Sequence, residues 1–251
     1  MEKWAGKVAV VTGASGGIGA GICKELVRAG MIVCGFSRRV DQVEAIRATL
    51  FDVPGQLIPV CCSNDEESIV FSFKWVDRTY ERVDLLVNSD EDVTNCLLLD
   101  DNNTNELCSV METNLIGTCI CTREAVKLMK KYDIKGNIVN INSIFGHKIN
   151  VCVPGMRPIN GMYPACKYAI TAITECVRQE LIYKESEIKI SSISPGLVDT
   201  ELLKKATDHE MVKFMPKLKA EDIADALKFI LTRPMHVQVH DIIIKPNGEF
   251  L

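Results

Sequence analysis

Tyr163 and Lys167, four residues apart in Tyr163-Pro164-Ala165-Cys166-Lys167, are the pair in this sequence best suited to moving a proton. Pro164 lacks an N–H and fits only the first turn of a helix, so Tyr163 starts that helix and Lys167 follows one turn later on the same face. A phenol of ordinary pKa, about 10, is a poor base at neutral pH. A neighbouring ammonium favours the phenolate and lowers that value. A Tyr/Lys pair on an isolated helix is commonly surface decoration, so the pair needs company. Two polar residues offer it. Ser143 ends the run Gly136-Asn137-Ile138-Val139-Asn140-Ile141-Asn142-Ser143, and Asn114 lies in Met111-Glu112-Thr113-Asn114.

A second chemistry is written in Thr12-Gly13-Ala14-Ser15-Gly16-Gly17-Ile18-Gly19. The stretch follows the apolar run Val8–Val11 and opens a helical pattern at Ile18, the context that a dinucleotide-binding turn requires. Glycines let the backbone turn tightly and approach a ligand, and the helix N-terminus offers free N–H groups to a pyrophosphate. At the end of the next strand stand Arg38 and Arg39. An acidic residue there would hold the ribose 2′-hydroxyl of NAD, whereas arginine suits the 2′-phosphate of NADP, so NADP(H) is favoured over NAD(H).

These groups need strands to bring them together. Apolar runs at Val8–Val11, Ile32–Phe36, Leu57–Cys61, Leu85–Val87, Ile138–Ile141, Ile188–Ile193 and Asp241–Ile244 alternate with helical patterns. The helices are expected over Ile18–Ala29, Val40–Leu50, Glu66–Tyr80, Glu106–Lys131, Tyr163–Tyr183 and Glu221–Leu231. Such alternation predicts an α/β Rossmann fold: a doubly wound, seven-stranded parallel sheet with helices on both faces. No Pro/Gly/Ser-rich linker divides the 251 residues, and a single domain over 1–251 is expected.

Composition narrows the function. A net charge of −4 gives no basic footprint for nucleic acid. No apolar run reaches the roughly 18 residues of a membrane span, and the polar start Met1 to Lys7 lacks a signal-peptide pattern. Eleven cysteines without a secretory signal suggest reduced thiols in the cytoplasm, most of them small core residues. Their irregular spacing contains no CxxC, and His236 and His240 sit in an alternating, β-branched context, so no metal site is expected.

Taken together, TGxxxGxG, the strand-end Ser143, YxxxK, Asn114 and Ser194-Pro195-Gly196-Leu197-Val198-Asp199-Thr200 resemble the short-chain dehydrogenase/reductase family, in order and over nearly the whole chain. Ile141 to His147, Tyr163 to Ala169, Ile193 to Thr200 and Val239 to Pro246 are similar to the insect-type, farnesol dehydrogenase-like reductases that use NADP. The resemblance implies roles. Tyr163 is the acid in carbonyl reduction and the base in alcohol oxidation, and Lys167 binds the nicotinamide ribose and tunes Tyr163. Ser143 holds the substrate oxygen, and Asn114 anchors a proton-relay water. Gly13, Ser15, Gly17, Ile18, Gly19, Arg38, Arg39, Cys62 and Asn88 line the cofactor, while Pro195, Gly196, Val198 and Thr200 lie near the carboxamide. The segment Glu201 to Met215, within a lid of about 197–216, closes over a lipophilic alcohol or carbonyl such as an isoprenoid, and the protein is a homodimer or homotetramer through the helices Glu106–Lys131 and Tyr163–Tyr183.

Two positions depart from the family pattern. Where the family reads Asn-Asn-Ala-Gly after the fourth strand, this chain reads Asn88-Ser89-Asp90-Glu91. Glutamate in place of glycine adds bulk and a charge that would repel a phosphate, at a place where a positive φ could be needed. The acid that follows the third strand and meets the adenine amino group is replaced by Cys62. A family member that binds dinucleotide or a partner without turnover is therefore the alternative. The interval from Ser143 to Tyr163 is long and contains Pro154-Gly155-Met156-Arg157-Pro158, a loop expected at the mouth of the site, where Met156 and Met162 could line a lipophilic pocket.

Overall fold

The computed structural model describes residues 1–149, 161–206, 212 and 214–249. Seven parallel strands form one sheet in the order β3-β2-β1-β4-β5-β6-β7. They are β1 (Val8–Thr12), β2 (Ile32–Ser37), β3 (Gln56–Cys61), β4 (Leu85–Asn88), β5 (Asn137–Ile141), β6 (Lys189–Pro195) and β7 (Asp241–Ile244). The order reverses between β1 and β4, and at such a switch point the carboxyl ends of the strands open a crevice for ligands. Every residue of β1 and β4 is buried. That is why these strands read as unbroken apolar runs: both faces of a parallel sheet are covered.

Alternate residues feed two cores. Ala9, Val11, Leu85, Val87, Val139 and Ile193 point to one face and pack with α1 (Gly17–Arg28) and α8 (Ala220–Thr232). Val8, Val10, Leu86, Ile138 and Ile190 point to the other, toward α3 (Glu66–Tyr80), α5 (Thr118–Lys131) and α6 (Tyr163–Tyr183). The remaining helices are α2 (Val40–Arg47), α4 (Thr104–Met111) and α7 (Glu201–Ala206). The doubly wound sheet is thus as the sequence predicts.

One element differs. The continuous apolar pattern predicts a single α-helix over Glu106–Lys131, but α4 and α5 are joined by a wider π-helical turn, Glu112–Gly117. The widening carries Thr113 and Asn114 to buried positions. Asn114 there receives a bond from the Asp92 N–H at 2.7 Å and donates one to the Asp92 carbonyl at 2.8 Å. Single π-helical turns inside α-helices are frequent at functional sites.

The cysteines are less uniformly internal than expected. Cys23, Cys34, Cys62, Cys121 and Cys166 are buried, whereas Cys61, Cys108 and Cys176 are exposed. Among the described residues no helix is long and apolar enough to cross a membrane. The expected mouth loop around Met156 and part of the expected lid, residues 207–211 and 213, lie outside the described residues.

Candidate active site

The turn after β1 makes the first wall of the site. Gly13 has φ +65°, and a Cβ on it would lie 2.8 Å from the Cα of Asp90 and from the Ser89 carbonyl oxygen. Only glycine meets both demands. A groove of about 330 Å³ opens beside this turn, lined by Gly13, Ser15, Gly17, Ile18 and Gly19, by Arg38 and Arg39, and by Thr200. Arg39 donates to Ser15 Oγ at 3.0 Å, which ties the basic strand end to the glycine turn. Backbone N–H groups at a helix start, a cradle without side chains and two guanidinium groups suit the phosphates of a dinucleotide.

The Tyr163–Lys167 pair sits at the other end of the crevice. Pro164 occupies the first turn of α6, so Tyr163 opens the helix and Lys167 follows below it with its ammonium 5.2 Å from the centre of the tyrosine ring. Lys167 is buried, and its ammonium donates to the Ile141 carbonyl at 3.0 Å. Ser143 lies two residues beyond the end of β5 and caps the short turn Ile144–Gly146 by accepting from Phe145 N–H at 3.1 Å. Phe145 stands edge-on to Tyr163. Ser143 and Tyr163 face a cavity of about 110 Å³ whose other walls are largely apolar, among them Val93, Phe145, Leu197, Leu203 and Val212.

Glu91 enters this arrangement from the β4 loop. Its carboxylate lies 2.6 Å from Lys167 Nζ and accepts from the Tyr163 hydroxyl at 3.1 Å. Burial first, then the charge and hydrogen bond of Glu91, push the Tyr163 phenol well above its ordinary value, and hydrogen bonding to Ser143 draws it back only in part. In this arrangement the phenol stays protonated.

Comparison with known proteins agrees with the geometry. A family model described as short chain dehydrogenase matches residues 7–211. The chain belongs to the short-chain dehydrogenase/reductase family. Farnesol dehydrogenase of Aedes aegypti is 44% identical over 254 residues, covering 99% of both chains. Dehydrogenase/reductase SDR family member 11 of Gallus gallus is 39% identical over 99% of both. Among solved structures, an alcohol dehydrogenase from the archaeon Thermococcus sibiricus, complexed with 5-hydroxy-NADP, superposes with a TM-score of 0.81 at 24% identity over 97% of each chain, a likeness of fold. The chain is accordingly an oxidoreductase by family.

Within this short-chain dehydrogenase/reductase, the residues expected at the cofactor divide among three spaces. The glycine turn, Arg38 and Arg39 line the large groove, Pro195, Gly196 and Val198 line the apolar cavity beside Ser143 and Tyr163, and Thr200 lines both. Cys62 and Asn88 face a separate recess of about 20 Å³, with Asn64, Ile69 and Thr113. The Asn88 side chain donates to Asn140 at 2.8 Å and to Thr122 at 3.1 Å, so it braces β4 against β5 and α5. Asn114 lines none of these spaces, and both ends of its amide are committed to Asp92.

The β4 loop corrects one expectation. Neither Asp90 nor Glu91 has a positive φ, so glutamate at this place strains no backbone. Sequence reasoning singled out Glu91 for its bulk and charge but missed its contact with the lysine. It also missed Glu249, whose buried carboxylate accepts from Leu197 N–H at 2.8 Å and lies 3.2 Å from Lys245 Nζ. That carboxylate buttresses the Pro195–Val198 wall from behind. An acidic residue two places from the end of the chain carries no signal of such a role.

Proposed function

We propose that this protein is an NADP(H)-dependent oxidoreductase that interconverts a lipophilic alcohol, of isoprenoid type, with its aldehyde or ketone. The observation that carries the reading is convergence. Ser143 and Tyr163, backed by Lys167, face an apolar cavity that adjoins the groove of glycines and arginines. The residues present fit a dinucleotide well at the phosphate end, through the Gly13–Gly19 turn with Arg38 and Arg39. At the catalytic end the fit requires Glu91 to move from Lys167.

The nicotinamide, when bound, supplies or accepts the hydride. The chain's own residues handle the rest. The Ser143 hydroxyl holds the substrate oxygen, and the Tyr163 hydroxyl gives it a proton in reduction or takes one in oxidation. Lys167 favours the phenolate whenever its charge is free to act on the phenol. The phenol held protonated in this structure is the form that donates. Leu202, Leu203 and Val212, from the segment expected as a lid, supply part of the apolar lining, as a lipophilic substrate asks. Farnesol dehydrogenase among the relatives points to the same substrate class. We also assign the protein to the cytoplasm as a homodimer or homotetramer, the exposed Tyr168 and Ile182 of α6 offering apolar contact.

The test is turnover of NADPH with aldehydes and ketones, and of NADP with isoprenoid alcohols, by the wild type and Tyr163→Phe. The variant should lose about 10²-fold or more of the rate. Equal rates for both proteins would sink the mechanism. The Glu91–Lys167 contact favours a second reading, a family member that binds dinucleotide or a partner without turnover. NADPH binding with no turnover on any substrate of the panel would favour it.

A further inference from the structure

The reaction proposed above gives Glu91 no part, yet this carboxylate is in contact with two of its central groups. Lys167 carries its ammonium at a depth where only 3% of the side chain is exposed. A charge so placed needs an opposite charge or a full set of acceptors. The Ile141 carbonyl accepts a hydrogen bond from one of its N–H groups, and Glu91 supplies the counter-charge at 2.6 Å.

Glu91 also lines both the catalytic cavity and the glycine–arginine groove, so its side chain stands where the two spaces meet. An extended ligand running from the Gly13–Gly19 turn to Ser143 must pass it. The backbone on either side is fastened. Thr12 Oγ accepts from Ser89 N–H at 2.9 Å and from Asp90 N–H at 3.0 Å, and Asn114 grips the backbone of Asp92 through both ends of its amide. With its neighbours held, the carboxylate leaves by rotation of its own side chain rather than by drift of the loop.

We propose that Glu91 is a built-in occupant of the Lys167–Tyr163 site, so that a dinucleotide reaches these two groups only by turning this carboxylate away. The inference rests on the dinucleotide reading above and adds to it a residue that sets cofactor affinity. In the free protein Glu91 satisfies a buried ammonium and holds the phenol through a hydrogen bond. On binding, those two contacts must be exchanged for contacts with the ligand, which weakens the affinity of the whole dinucleotide but not that of a fragment ending short of Lys167.

Wild type, Glu91→Gln and Glu91→Ala should be titrated with NADPH, followed by its own fluorescence and by calorimetry, and with 2′,5′-ADP, the half that carries no nicotinamide. The glutamine variant keeps the shape and a hydrogen bond while losing the charge, so the comparison survives should alanine leave Lys167 too poorly paired to fold. Both variants should bind NADPH about tenfold more tightly, the factor associated with one charge-assisted hydrogen bond, while 2′,5′-ADP stays within roughly twofold. NADPH binding of unchanged strength in all three proteins would overturn the proposal and leave the dinucleotide reading standing. An equal gain for 2′,5′-ADP would also overturn it, since that pattern reflects general repulsion by an acidic loop. Failure of both nucleotides to bind any of the proteins would overturn the dinucleotide reading and the proposal together.

Discussion

Two loops meet back to back above the switch point of the sheet, one leaving β1 and the other leaving β4. The β1 loop presents glycines and backbone N–H groups to the groove, beside Arg38 and Arg39 from the end of β2, whereas the β4 loop presents Asp90, Glu91 and Asp92 to the same groove. They are bonded to each other through Thr12 Oγ, and they touch so closely at Gly13 and Asp90 that a Cβ has no room. The scaffold therefore treats the loops alike, while their side chains set opposite electrostatic conditions for an anionic ligand. On the proposal made for Glu91, the β1 side supplies the cradle for a dinucleotide and the neighbouring strand end sets access to it.

The largest effect should come from disturbing the β1 side of the contact. A Cβ on Gly19 would lie 2.3 Å from the Gly13 carbonyl oxygen and 2.8 Å from its carbon, both backbone atoms that cannot swing aside. Gly19→Ala should therefore cost about 1–3 kcal/mol, as overpacking does, and lower Tm by roughly 2–12 °C. Calorimetry or a thermal melt checks it. An unchanged Tm would show that the turn is looser than its geometry, and the contrast with the β4 loop would lose its rigid half.

The two loops also differ in how much of them can be read from the chain. The glycine turn and the Tyr163–Lys167 spacing are local patterns, decided within a few residues by backbone freedom and helical pitch. The strands are legible for a related reason, since burial on both faces leaves each as a short apolar run. The Glu91 contacts join the end of β4 to the start of α6, and the Tyr163 bond spans 72 positions. No periodicity runs through that loop, and where its side chain turns depends on the Thr12 and Asn114 clamps, themselves long-range. The π-helical turn at Glu112–Gly117 was hidden for the opposite reason: the apolar pattern continues straight through it, and the widening shows only in three dimensions.

The next two effects concern charge. Replacing both Arg38 and Arg39 by alanine removes the cations beside the glycine turn. NADPH affinity should fall about 10- to 100-fold, the range for losing charge-assisted hydrogen bonds, with NADH changed by roughly twofold at most. Equal losses for both nucleotides would break the assignment of these arginines to a 2′-phosphate. On the β4 side, burial above all pushes the Asp90 carboxyl up to about 6, against the pull of Arg38. A carboxylate with a raised folded pKa favours the fold below its unfolded value near 4, and that advantage is lost as pH rises through about 6. Asp90→Asn should thus be more stable than the wild type at pH 7.5, by on the order of 1–2 kcal/mol, with the gap closing toward pH 4. Denaturant melts at pH 4, 5, 6 and 7.5 measure it. A gap independent of pH would mean that the Asp90 charge is already well solvated.

The smallest effect probes how the β1 side is held rather than what it is made of. Arg39 is exposed, and its bond to Ser15 Oγ at 3.0 Å is a side-chain tether between the end of β2 and the glycine turn, beside the backbone bond from Ala14 N–H to the Phe36 carbonyl. An exposed hydrogen bond is worth below about 1 kcal/mol, because water replaces the lost partner at little cost. Ser15→Ala frees the guanidinium without removing it, so NADPH affinity should fall only about two- to threefold and stability should hold within roughly 0.5 kcal/mol. NADH should be unaffected, because it has no 2′-phosphate for the loosened arginine to miss. A loss as large as that of the double arginine variant would place Ser15 itself on the ligand and shift the basis of the β1 loop's selectivity from charge to the hydroxyl.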